Sequence, residues 1–274
     1  MIGRLLMLCA VGVPGLAFAG PYAPAADQTG STAIAFDSTS IVGWASGVQE
    51  LVRGPVDISQ PSLGSATYGS GANALGQADA QNDSLPVVSL GDGGRITLTF
   101  AAPIRNGSGA DFCVFENGFG DNFLELAFVE VSSDGANFFR FNAVSRTQTT
   151  TQVGAFDQVL DPTDLYDLAG KYRRGFGTPF DLAELAGTAG LDISNVTQVR
   201  IVDVVGSIDS RYGTRDSLGN LINDPWPTAF QSGGFDLDAV GVLNFAPVPE
   251  PSAILLLASA ALCAASRRGR GRRR

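Results

Sequence analysis

The sequence predicts an all-β protein: an antiparallel β-sandwich with short helical insertions, flanked by terminal targeting helices. Three observations predict it. The 274 residues include 34 glycines and 14 prolines, which suits short strands joined by turns better than a helical bundle. Runs in which apolar and polar residues alternate recur through the body. Helix start signals are few. A hydrophobic fraction of 45% with 16% charged side chains excludes a disordered chain.

The clearest strand is 95–101, where Ile96, Leu98 and Phe100 alternate with Thr97 and Thr99. Residues 111–116, 126–132, 138–141, 198–205 and 235–245 are further strands. Ser133-Asp134-Gly135-Ala136-Asn137 reads as the turn of a hairpin between two of them. Thr178-Pro179-Phe180-Asp181 supplies an N-cap, a proline at the first helical position and an acid in the first turn. A short helix is expected there, closed by Gly187, and another helical turn at 165–172. The organisation is a signal segment (1–19), a Pro-rich linker (20–31), one body domain without internal repeats (32–246) and a C-terminal sorting segment (247–274). A body of about 215 residues is large enough for a core without disulfides.

Charge and residue usage narrow the chemistry. Between Gly20 and Pro249 there are 11 basic and 26 acidic side chains, a net of −15. Such a body repels nucleic acid and favours cations, calcium above all outside the cell. The chain contains no histidine. That removes Ser-His-Asp and Cys-His catalysis and histidine metal ligands. Cys9 and Cys263 lie in apolar end segments, which leaves Cys113 alone in the body. With no intrachain disulfide, any staple must be a metal or a large core.

Both ends read as addresses. Arg4, an apolar run over 5–13 and Ala17-Phe18-Ala19 make a secretory signal peptide, with cleavage expected after Ala19. Near the other end, Val248-Pro249-Glu250-Pro251 precedes an apolar stretch over 252–266 and an arginine cluster. Fifteen helical residues span roughly 22 Å, short of a hydrocarbon core of roughly 30 Å, so the stretch suits temporary anchoring. The arginines would stay cytoplasmic and the body would lie outside. This combination of Pro249, Glu250 and Pro251 with a helix and a basic end resembles the PEP-CTERM sorting signal of Gram-negative bacteria. The resemblance implies an exosortase as partner, removal of the tail, transient anchoring in the inner membrane, and delivery to the cell surface or extracellular matrix.

The body carries a second resemblance. Asp111-Phe112-Cys113-Val114-Phe115-Glu116-Asn117-Gly118-Phe119, the 125–135 stretch and Gly233-Gly234-Phe235-Asp236-Leu237-Asp238-Ala239-Val240 are similar to a family of secreted bacterial cell-surface proteins. It implies a galactose-binding-like jelly roll, a fold that often holds a structural calcium partly through an Asp on the last strand.

Three acidic groups are candidates for that cation. On the final strand, Asp236 and Asp238 are expected to share a face with Val240 and Val242. Asp203 shares one with Val199, Ile201 and Val205, and a buried lone Asp needs a partner or a proton. Glu116, Asn117, Asp121 and Glu125 form the second group. The third is the loop from Asp216 to Asp224, which lacks EF-hand spacing. Calcium would accept six to eight such oxygens. The competing readings are arginine pairs, Asx turns and solvated loops. Glu116 with Asp236 or Asp238 could also form the carboxyl pair of a glycoside hydrolase. Cys113 reads as a packed thiol, and Lys171, the one lysine, as part of a solvated turn. Trp44 and Trp226 are candidates for stacking on sugars.

The leading reading is therefore a non-catalytic exported surface or matrix protein with structural calcium. It would touch the membrane only through the C-terminal helix before processing, and would not bind nucleic acid. The rivals are a surface binding module for a polysaccharide or a small nutrient such as a corrinoid, and a carboxylate-dependent hydrolase.

Overall fold

The computed structural model describes residues 19–79 and 86–247. The N-terminal apolar run, Pro249, Glu250, Pro251 and the C-terminal stretch lie outside the described residues. Among the described residues no helix is long and apolar enough to cross a membrane.

The structure is all-β, as the alternation predicts. Its strands are β1 (Ile34–Ala35), β2 (Gly43–Val52), β3 (Val88–Ser89), β4 (Arg95–Ile104), β5 (Phe112–Glu116), β6 (Ala127–Ser132), β7 (Phe139–Arg140), β8 (Val144–Ser145), β9 (Leu165–Tyr166), β10 (Phe176–Phe180), β11 (Val196–Asp203) and β12 (Asp236–Val242). The helical insertions are 3-10 turns of three or four residues. One curled antiparallel sheet runs β1-β10-β5-β12-β2-β4-β11-β6-β7, with β3 added beside β12, while β8 and β9 pair separately.

Strand β2 makes the curl. Its first residues, Gly43 and Trp44, pair with β12, and the rest of it pairs with β4. The sheet therefore folds over on itself, and its two halves face each other as in a sandwich. Phe112, Val114, Leu237, Val240 and Val242 come from one half. Ile96, Leu98, Val129, Val131, Val199 and Ile201 come from the other. All are buried in one core. The hairpin of β6 and β7 closes at Asp134, whose carboxylate accepts from Ala136 N (2.9 Å) and Asn137 N (2.8 Å).

Several local expectations are corrected. Thr178, Pro179 and Phe180 belong to β10 and not to a helix. Pro179 is tolerated because β1 covers only Phe176 and Gly177, so the proline stands at a free edge and no neighbour needs its missing N–H. The helical signal displaces to Asp181, which caps the 3-10 turn Leu182–Leu185 by accepting from Ala183 N (2.8 Å). Residues 165–172 begin as β9 rather than a helical turn, and the chain then reverses at Asp167, in the left-handed region with φ 49°. Lys171 is not solvated: it is 5% exposed and donates to the Leu165 carbonyl at 2.8 Å. On β12 the register shifts between Leu237 and Ala239. Leu237, Val240 and Val242 all enter the core, a spacing that strict alternation forbids. That bulge takes Asp236 and Asp238 off the face that Val240 and Val242 share.

Candidate functional site

Eleven carboxylates are buried among the described residues, but only one basic side chain, Lys171. Ion pairing cannot satisfy so many acids, and a buried carboxylate without a partner costs several kcal/mol. The fold answers mainly with its own main chain. Asp203, at the end of β11 on the face of Val199 and Ile201, accepts from Gly93 N at 2.8 Å and Phe235 N at 2.6 Å. Asp224 accepts from Leu126 N at 2.8 Å, and a Cβ on Gly206 would overlap its Oδ1. Asp216 accepts from Leu218 N (2.9 Å), Asn220 N (2.8 Å) and Ser145 N (3.2 Å).

Two further acids, missed in the sequence, do the same. Asp111 accepts from Gly107 N (2.7 Å), Leu182 N (2.8 Å) and Asn244 Nδ2 (2.9 Å). Asp92 accepts from Ile58 N (2.7 Å) and the Trp226 indole N–H (3.0 Å). Burial pushes Asp203, Asp224, Asp111 and Asp92 above the ordinary carboxylate range, against the pull of these donors. Asp111 and Asp92 escaped a reading by motif because Leu182, Asn244 and Trp226 lie far from them in sequence.

The remaining candidates divide. Asp121 is held by Arg173 at 2.6 Å, and the same guanidinium takes Asp27. Asp236 accepts from the Ser89 hydroxyl and from Asn117 Nδ2 (3.1 Å), and burial pushes it up to about 6. Asp238 accepts from Asp79 N through both oxygens (3.2 and 3.1 Å) and is likewise raised by burial to about 6. Glu116 ends β5 opposite Leu237. Its Oε2 accepts from Gly118 N at 2.7 Å, while its Oε1 is buried with no partner. Burial and the Asp236 carboxylate raise Glu116 well above its usual range. Burial, then Asp236 and Glu116, do the same to Glu125.

Glu116 and Glu125 each lie near enough to Asp236 to feel its charge, Asp238 acts on Glu116, and Asp203 and Asp224 act on Glu125. Asp121 and Asp216 are engaged elsewhere. Oxygen donors of this kind suit calcium, and the orphaned Glu116 Oε1 leaves one lone pair for it. Among the described residues no three such side chains converge as a closed ligand set. Main-chain carbonyls and water would have to complete the shell. Glu116 is 1% exposed, so a glycosidic bond could reach Oε1 only by opening the end of the sheet.

Both tryptophans are half-buried, each packed on a neighbouring ring. Trp44 packs on Phe115 with ring centroids 5.5 Å apart. Trp226 stacks against Tyr212 at 6.3 Å, with its N–H tied to Asp92. The exposed stacked pair is Phe156 with Phe230, 5.7 Å apart. Cys113 is fully buried, and burial pushes its thiol up to about 12. Next to Ala19, Gly20 N donates to Thr163 Oγ1 at 2.6 Å, and Tyr22 N donates to the Thr163 carbonyl at 3.1 Å. The 20–31 segment, linker-like in composition, is therefore docked on the body.

No protein-family model matches this chain, and no curated protein matches it.

Proposed function

We propose that the protein is a non-catalytic component of a bacterial cell surface or extracellular matrix, exported by its signal peptide and sorted by an exosortase. One observation carries the non-catalytic part: Asp203, Asp216 and Asp224 are committed to main-chain N–H groups, and Glu116, the candidate acid with an unpartnered oxygen, is 1% exposed. An acid already held by main-chain N–H groups in the interior is a fastener, not a base waiting for substrate. The Pro249-Glu250-Pro251 tail with its arginine cluster supports the sorting part.

Calcium belongs to the same proposal. Glu116 and Glu125 would hold it, with Asp236 beside them. When bound it would supply positive charge to a group of mutually repelling buried acids. A ligand that binds only the folded state stabilises it by about 2.7 kcal/mol at a hundred times its Kd. The test is the melting temperature of metal-free protein with calcium and with chelator. Calcium should raise it, and Glu116→Gln should remove the gain. Identical melting in both conditions would refute the calcium reading. For the sorting reading, surface material should yield peptides from Tyr22 onward and none from 254–274. Recovery of intact tail peptides there would overturn it.

A further inference from the structure

The 20–31 segment is held most closely at its first residue. Gly20 N donates to Thr163 Oγ1 at 2.6 Å, and the Thr163 hydroxyl in turn donates to Asp161 Oδ1 at 2.8 Å. A Cβ on Gly20 would stand 2.2 Å from the Thr163 carbonyl oxygen and 2.4 Å from Asp164 Oδ1, so a side chain has no room here. Within any residue Cβ and N are about 2.5 Å apart, which puts Asp164 Oδ1 within about 5 Å of the Gly20 nitrogen. On the far side of that nitrogen, Ala19 lines a cavity of about 320 Å³ together with Asp161, Thr163, Asp121 and Asn122.

In the uncut chain the Gly20 nitrogen is an amide with one hydrogen, and the Thr163 hydroxyl uses it. Hydrolysis of the Ala19–Gly20 bond changes the group. The oxygen of a water molecule joins the Ala19 carbonyl carbon, the C–N bond breaks, and both water hydrogens end on the Gly20 nitrogen. Ala19 leaves as a carboxylate, and Gly20 gains an α-ammonium with three donors. The new donors open into the space that Ala19 vacates, beside Asp161. The surroundings suit a positive charge. Burial, then repulsion from Asp161, raises Asp164 above the ordinary carboxylate range, against the pull of Arg146. The other charged groups nearby have partners: Asp121 is held by Arg173 at 2.6 Å, and the Lys171 ammonium donates to the Leu165 carbonyl at 2.8 Å.

We propose that Thr163 Oγ1, Asp161 and Asp164 form a seat for the α-ammonium of Gly20, so that removal of the signal peptide locks the N-terminal segment onto the body. This rests on the reading of an exported chain cut after Ala19. The seat is separate from Glu116 and does not involve calcium.

The test takes the exported protein. Mass spectrometry of its tryptic peptide 20–53 fixes where the chain starts, and competitive acetylation of that peptide's α-amine across pH measures its pKa. Lys171, the one lysine, falls in another peptide. An ordinary α-amine titrates at about 7.7–8.0. In the native chain Gly20 should titrate about one unit higher than in urea, which slows acetylation roughly sevenfold near pH 7.5. Because folding raises this pKa, the lock is complete below about pH 7.7 and is lost as pH climbs through the raised value. Asp164→Asn should bring the amine most of the way back to its value in urea. The same chain begun at Ala19 carries its ammonium about 3.8 Å farther along and should titrate ordinarily, although it feels the same net charge of the body. Three outcomes would overturn the proposal alone: equal titration in native buffer and urea, an equal rise in the chain begun at Ala19, or an unchanged value in Asp164→Asn. An exported chain that starts elsewhere would overturn the cleavage reading and the proposal with it. The comparison of native protein, urea and the Ala19 chain decides even if the variant fails to fold.

Discussion

Asp203 offers the sharpest test of the idea that main-chain amides hold these buried acids. Its two oxygens take separate N–H groups, Gly93 N before β4 and Phe235 N before β12, so it ties the end of β11 to two segments that already meet through Leu90 N–Phe235 O and Gly91 N–Gly233 O. Removing it with Asp203→Ala strands Phe235 N in the interior and Gly93 N nearer the surface. At about 1–3 kcal/mol for each stranded group, the loss is about 2–6 kcal/mol. For a domain of this size that is a fall of roughly 5–20 °C in Tm. Asp203→Asn keeps one acceptor and turns an amide N–H toward the other donor, so it should fall between the parent and the alanine variant. The assay is urea unfolding followed by tryptophan fluorescence, repeated across pH. Burial raises the folded-state pKa of Asp203 well above its ordinary 3.8. The fold therefore binds this proton more tightly than the unfolded chain does. The resulting stability is complete below about pH 3.8, and it drains away as pH climbs through the raised value. The asparagine variant lacks that proton, so its deficit against the parent should be largest in acid and shrink as pH rises. An alanine variant within about 0.5 kcal/mol of the parent would show that water serves both amides and would refute the reasoning.

Three further outcomes follow from named contacts. Gly20→Ala should free the 20–31 segment to proteolysis, because a Cβ there would overlap the Thr163 carbonyl, while core melting changes little. Cys113 should resist a thiol reagent in native buffer and react fully in urea, given its burial and a thiol pushed up to about 12. Trp226→Phe should cost about 1 kcal/mol by removing the indole donor to Asp92, since Ile58 N still serves that carboxylate; Tm reports it.

The parts of the fold written as alternation were legible in the sequence. Residues 95–101 and 198–205 sit mid-sheet with one face in the core, and such strands must alternate. Strand β2 was not legible. Its pairing with β4 shifts register twice, between Ala45 and Gly47 and between Val48 and Glu50, which breaks the period a reader looks for. Strand β10 hid behind Pro179, a residue that serves a helix start and a sheet edge equally well. At the site, the acids could be named but their partners could not, because a main-chain N–H carries no letter in the sequence. Lys171 gave a signal that went unused: a lone lysine in Leu165-Tyr166-Asp167-Leu168-Ala169-Gly170-Lys171-Tyr172 is more apolar company than a solvated turn keeps.

The position of β12 bears on how the chain reaches its destination. Among the described residues the last strand in sequence is an interior strand of the sheet, between β5 and β2, and β5 has no other neighbour on that side. Until residues 236–242 emerge, the paired strands β1-β10-β5 have no strand joining them to β2-β4-β11-β6-β7. Pairings between strands so far apart in sequence are intrinsically slow to form. A chain threaded through a membrane pore from its N-terminus must stay unfolded for nearly the whole passage. If the chain is exported as proposed, the sheet closes only once residues 236–242 have crossed.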